Sequence, residues 1–183
     1  WQRADAPVWV AGSVHPGEFD AMLNVHKQIL AIYPNALLIM APRHPEQFNL
    51  AAITVTQSGL QLARRSMNDE VNQQTQVLLG DTMGELVMLY GAADQAFVGG
   101  TLIDNGGHNP LEPAAMGLTV TVGPSHWDFA EITALLEHAG GLKVVANADA
   151  LATTLLHYFD DSAAYQQAVK AATNVVEQNR GAL

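Results

Sequence analysis

Two short stretches of this chain combine glycine, a hydroxyl or amide side chain and a glutamate at fixed spacing. They are Gly80-Asp81-Thr82-Met83-Gly84-Glu85-Leu86 and Gly106-Gly107-His108-Asn109-Pro110-Leu111-Glu112-Pro113. In each, a helix-capping residue (Thr82, Asn109) stands three positions before a glutamate (Glu85, Glu112). That is the capping-box spacing, in which the glutamate folds back on the first turn. Pro110 suits the first helical position. A helix start leaves backbone N–H groups unpaired and carries partial positive charge, which suits a phosphate. Gly106 and Gly107 would let a ligand approach the backbone closely before Asn109. Capping alone accounts for Glu85 and Glu112. Beside a nucleotide, however, such a carboxylate also has lone pairs to spare for ribose hydroxyls. Two such ends after two buried strands point to the nucleotide side of a sugar-nucleotide enzyme.

The charge for a phosphate must be local. Eight Lys and Arg against 18 Asp and Glu give a net charge of −10, which speaks against a nucleic-acid partner. Arg43 directly follows an apolar run and lies between Pro42 and Pro45. A guanidinium held there can fork onto phosphate oxygens; the plain alternative is a solvated loop arginine. Ser13-Val14-His15-Pro16-Gly17-Glu18 also ends a strand and opens a helix. It reads as a phosphate- or sugar-facing turn, with capping by Ser13 or His15 as the plain alternative. The Gly-x-Ser-x-Gly elbow is absent, so Ser13 and His15 are no hydrolase nucleophile pair. His15, His44 and His108 lack the i, i+4 spacing of a helical zinc site, and no metal is assigned. His126 and Trp127 offer either stacking on a base or sugar, or ordinary packing. Asp160-Asp161 follows helical sequence and reads as a solvated helix end. No residue is assigned as a catalytic base; Glu18 and Asp104 would be the first to test.

The elements that must position these residues alternate. Apolar runs at 7–12, 36–41, 76–79, 95–98, 118–122 and 142–145 read as strands, and 59–64 as a further one. Helical spacing covers 17–33, 46–56, 85–90, 110–116 and 128–138, then continues from 149 almost to the end. The polar residues 66–75 and the Gly-rich residues 101–108 read as loops. Such alternation implies α/β architecture, a Rossmann-like parallel sheet flanked by helices. The loops after the strands, at Ser13, Pro42, Asp81, Gly100 and Gly123, then gather at the edge where open α/β sheets bind ligands. A hydrophobic fraction of 49% with 14% charged residues fits a sheet covered on both faces. The 183 residues fit one domain. They begin at Trp1 without a Met, which reads as a piece of a longer protein. No apolar run approaches the ~18 residues of a membrane span, and no signal peptide is visible. With no cysteine there are no disulfides and no thiolate metal ligands, which is compatible with the cytosol.

Taken together, these stretches resemble the C-terminal half of the 3-deoxy-D-manno-octulosonic acid (Kdo) transferases. The matching segments are Ser-Val-His-Pro-Gly-Glu at 13–18, Leu-Leu-Ile-Met-Ala-Pro-Arg-His-Pro-Glu-Gln-Phe at 37–48 and Gly-Asp-Thr-Met-Gly-Glu-Leu at 80–86. Ala-Phe-Val-Gly-Gly-Thr-Leu through Gly-Gly-His-Asn-Pro-Leu-Glu at 96–112 and the closing residues 178–183 complete them. The first motif usually reads Ser-Thr-His-Glu-Gly-Glu in that family; Val14 and Pro16 depart from it, while Ser13, His15 and Gly17 keep it. The resemblance implies the C-terminal half of a glycosyltransferase-B fold, with CMP contacted by Pro42, Arg43, Met83, Gly84, Glu85, Asn109, Pro110, Leu111 and Glu112. Ser13, His15, Gly17 and His108 are further sugar or phosphate contacts. It also implies inverting transfer of Kdo from CMP-Kdo to a lipid A precursor, with no cofactor. The acceptor site, the catalytic base and the membrane-associating segment belong to an N-terminal domain absent from this chain. The whole enzyme then sits on the cytoplasmic face of the inner membrane, and this piece alone is soluble and inactive. The rival readings are the donor domain of a UDP-sugar transferase or 2-epimerase, and a nucleotide-binding module without catalysis.

Overall fold

In the computed structural model, residues 5–180 are described. The Trp1 start and the last three residues of the closing motif lie outside them. Among the described residues seven strands form one parallel sheet: β1 (Val8–Val14), β2 (Leu37–Pro42), β3 (Leu62–Arg64), β4 (Val77–Leu79), β5 (Gln95–Val98), β6 (Thr119–Val122) and β7 (Leu142–Val144). Their order is β3-β4-β2-β1-β5-β6-β7, and every pairing is parallel. The connecting helices are α1 (Pro16–Ile32), α2 (Phe48–Gln57), α3 (Leu86–Gly91), α4 (Leu111–Ala115), α5 (Ala130–Ala139), α6 (Ala148–Asp160) and α7 (Ser162–Gln178).

Alternate strand residues feed opposite faces, which is why the strands read as unbroken apolar runs. Trp9, Ala11, Leu38 and Met40 pack with Phe19, Met22 and Ile29 of α1, Val55 of α2, and Leu151 and Leu155 of α6. Val8, Val10, Leu37 and Ile39 pack with Leu89 and Tyr90 of α3 on the other face. Val98, Val120 and Val122 form a third cluster with Leu136 of α5 and Ala172 and Val175 of α7. Gln95 ties α6 to the sheet: its amide donates to the Leu155 carbonyl and accepts from the Thr119 hydroxyl.

From β1 the chain winds outward through β2, and from β5 it winds the other way through β6 and β7, so the winding reverses between β1 and β5. Parallel sheets bind ligands at such a reversal, beyond the carboxyl ends of the strands. There the β1–β2 register shifts between Gly12 and Val14, and Ser13 takes a left-handed φ of 56°. A Cβ at Gly99 would run into the Ser13 carbonyl, so β5 can approach this bulge only with glycine. Among the described residues no helix is long and apolar enough to cross a membrane.

Several local expectations are corrected. The helix expected over 46–56 splits into a 3-10 turn, Pro45–Gln47, followed by α2. The strand expected over 59–64 shrinks to β3, because Gly59 at φ 86° lies in the turn that closes α2. The helical tail is two helices: Asp161 ends α6 and caps α7, its Oδ1 accepting from Ala164 N–H at 2.9 Å. Asp161 thus caps a helix start, and the pair marks a helix junction. Neither expected capping box forms. Glu85 and Pro110 are themselves the N-cap residues of α3 and α4, so α3 starts three residues later and α4 one residue later than the motif spacing implied.

Candidate functional site

A cleft of ≈ 370 Å³ opens over the carboxyl ends of β1, β2 and β4, closed on the far side by the loop after β5. Of the residues expected there, Ser13, Pro42, Arg43, Met83, Gly84, His108, Asn109 and Glu112 line it. His15, Gly17, Glu85, Pro110 and Leu111 do not belong to that lining. The apolar walls come from Ala41, Phe48, Leu86, Leu89 and Phe129. The two phenylalanines are the aromatic groups present for stacking. Trp127, 56% exposed, lies outside the cleft beside a separate surface hollow with Asp104. His126 is tied by Nδ1 to the Gly123 carbonyl at 3.1 Å.

Arg43 is exposed, and its backbone is fixed by its N–H donating to the Val14 carbonyl at 2.8 Å. The other described arginines are paired: Arg64 with Asp81 at 2.7 Å, Arg65 with Glu85 at 3.2 Å, Arg180 with Glu177 at 2.8 Å. Among the described residues Arg43 is the arginine without a carboxylate partner, and it faces the cleft. Glu85 thus turns away to Arg65 and takes the Thr82 hydroxyl, and these bonds hold its carboxyl below the usual range. Asp81 is buried. Burial opposes its ionisation, yet bonds from Ser66 and Arg64 outweigh that and keep its carboxyl below the usual range. Asn109 Oδ1 accepts from Leu111 N–H at 3.0 Å, two residues on rather than three. Glu112 is exposed at the cleft and bonds to no backbone N–H of its own helix start, so its carboxylate is free for a ligand.

The loop carrying His108 and Asn109 is held from both ends. Glu18 is fully buried, and its carboxylate accepts four backbone N–H bonds. Oε1 takes His15 at 3.1 Å and Gly100 at 2.8 Å; Oε2 takes Thr101 at 3.3 Å and Leu102 at 3.1 Å. Ser125 Oγ accepts from Asn105 and Gly106 at 3.1 and 2.8 Å. Glu18 therefore has no free lone pair to act as a base, and Asp104 stands outside the cleft. The sequence analysis assigns Glu18 no such role, although the signal is in the residues: His15 and Glu18 repeat the capping-box spacing. Here the box forms, with the Glu18 carboxylate reaching back to the His15 N–H.

His15 Nε2 and His108 Nε2 are 2.9 Å apart. Burial, with Arg43 and His44 nearby, lowers both rings, His108 to about 4 despite Asp128. Both imidazoles are neutral at pH 7. The arrangement offers a ligand one free guanidinium, apolar walls that include Phe48 and Phe129, and polar groups on a clamped loop.

No family model matches the chain. It is 44% identical over its whole length to the 3-deoxy-D-manno-octulosonic acid transferase of Haemophilus influenzae, of which it spans 43%. Its fold superposes with a TM-score of 0.92 on the C-terminal CMP-Kdo binding domain of WaaA from Acinetobacter baumannii. That match has 30% identity and covers 95% of this chain and 91% of that one. The C-terminal domain of a group 1 glycosyl transferase (LpcC) from Francisella tularensis matches at a TM-score of 0.67. It covers 98% of this chain and 88% of that one, and at 13% identity it speaks for the fold alone. A parallel sheet in this strand order, flanked by helices, is the C-terminal half of the glycosyltransferase-B architecture. The chain belongs to the 3-deoxy-D-manno-octulosonic acid transferase family.

Proposed function

We propose that this chain is the donor domain of a Kdo transferase and that it seats CMP-Kdo in the cleft at the strand reversal. The observation that carries the reading is the unpaired Arg43, fixed at the carboxyl end of β2 and facing a slot of nucleotide size. Pro42, Phe48, Met83 and Phe129 border the base and ribose, Glu112 accepts from ribose hydroxyls, and Arg43 forks onto the phosphate. Glu85, Pro110 and Leu111 act by shaping the two turns that present Met83, Gly84 and Asn109. In the transfer, a hydroxyl of a lipid A precursor attacks the anomeric carbon and the bond to the CMP phosphate breaks. The electron pair leaves with CMP, and configuration inverts. Arg43 offsets the charge growing on that phosphate. The proton passes to a base in an N-terminal acceptor domain, which also brings the enzyme to the cytoplasmic face of the inner membrane.

Calorimetric titration tests the donor assignment: CMP should bind more tightly than UMP or AMP. Equal or better binding of UMP would move the assignment to a UDP-sugar enzyme. Mixed with CMP-Kdo and a lipid A precursor, the chain should transfer nothing until the upstream half is added. Turnover by the chain alone would place the base within it.

A further inference from the structure

His15 and His108 come from opposite sides of the strand reversal, one from the turn after β1 and one from the clamped loop after β5. Their facing nitrogens are 2.9 Å apart, their planes differ by 7° and their centroids are 5.2 Å apart. Those values place the rings head to head in one plane. One nitrogen donates and the other accepts, so the contact holds a single hydrogen between two neutral imidazoles. His44 adds a third ring, edge to face with His15 at 5.8 Å. The charged groups facing the pair are Arg43 from the turn after β2, Glu18 from α1 and Asp128 from the turn before α5. Glu18 is taken up by four N–H groups, and Asp128 is exposed. No group of three or more His, Asp or Glu among the described residues has the geometry to hold a metal. This rim has imidazole and guanidinium donors in excess of acceptors, and it adjoins the Arg43 end of the cleft.

Building on the CMP-Kdo reading of that cleft, we propose that His15 and His108, with His44 beside them, form the subsite for the sugar's carboxylate, and that loading it takes up one proton. The proton comes from solvent and adds to the accepting Nε2. Two N–H groups cannot face each other at 2.9 Å, so the His15–His108 contact opens and both rings turn a donor to the carboxylate. The free rings resist protonation, His108 down to about pH 4. An anion lying against them removes that resistance. Uptake then falls between the low value of the free site and the raised value of the loaded one. Affinity must rise as pH falls through that window, by about tenfold per unit for one proton.

The test titrates the chain with CMP and with CMP-Kdo, each in two buffers of different ionisation heat, from pH 8 to pH 6. Ring nitrogen signals of the histidines are followed in parallel. CMP-Kdo should bind with uptake approaching one proton and move the His15 and His108 signals together, whereas CMP, whose phosphate monoester itself ionises at about pH 6, should take up no proton, release some towards that pH, and leave those signals unmoved. His15→Gln should abolish the uptake and make CMP-Kdo affinity independent of pH over this range. CMP-Kdo binding with no proton uptake, or with unmoved His15 and His108 signals, would overturn the subsite and leave the nucleotide reading intact. Proton uptake of the same size with CMP alone would reassign the pair to the phosphate. Failure of the wild-type chain to bind CMP at all would remove the nucleotide reading and the subsite with it. If His15→Gln does not fold, the wild-type ring signals decide.

Discussion

Replacing Glu18 by glutamine keeps the shape of the side chain and removes half of what it does. The carboxylate meets four buried N–H groups with two oxygens, each oxygen serving two of them. Glutamine offers one oxygen and an NH2 group. Turned one way, it leaves Thr101 and Leu102 facing a donor; turned the other way, it leaves His15 and Gly100 so. Either orientation strands two buried N–H groups. Each costs about 1–3 kcal/mol, so unfolding stability should fall by about 2–6 kcal/mol. Urea unfolding of the two proteins, with the denaturant slope checked for equality, measures it. CMP affinity should fall as well, because the loop that sets His108 and Asn109 loses one of its two clamps. A loss of stability below about 1 kcal/mol would refute the clamp, as would full stability with only binding reduced.

Further expectations concern the site itself. Arg43→Ala should weaken CMP binding by about 1.5–3 kcal/mol, the range for bonds to charged groups. It should leave unfolding by urea unchanged, since Arg43 has no carboxylate partner to lose. Glu112→Ala should weaken CMP binding without lowering stability, because Glu112 caps nothing; a loss near 1 kcal/mol in thermal unfolding would restore its capping role. His108 titrates near 4 in the folded chain and about 6.5 in the unfolded one. Between those values the unfolded state binds more protons, so stability should rise with pH across that window. His108→Gln should flatten that arm of the stability profile, and an unchanged slope would show that the ring titrates normally.

Much of this was legible in the residues because burial on both faces leaves a plain mark. Leu37 to Ala41 and Val8 to Ala11 read as strands since neighbours alternate between two apolar clusters. Pro42-Arg43 ends such a run, and the strand end fixes where the guanidinium stands. The turns were harder. At Thr82-Met83-Gly84-Glu85 the capping spacing is real, yet Arg65, twenty residues back, draws Glu85 aside. Spacing along the chain carries no trace of that pairing. The same spacing at His15 and Glu18 forms its box because burial leaves Glu18 nothing but backbone N–H groups to meet. Phe48 reaches the cleft from the start of α2 and Phe129 from the turn before α5, and only the sheet order brings the two together. The His15–His108 contact spans 93 residues and has the same origin.

We propose that the cleft between Arg43 and Asn109 holds the nucleotide. A backbone amide titration of the isotopically labelled chain with CMP tests it directly. Shifts should concentrate at Arg43, at 82–84 and at 109, 111 and 112, and be lost in Arg43→Ala. Shifts centred instead on the Asp104–Trp127 hollow would contradict it.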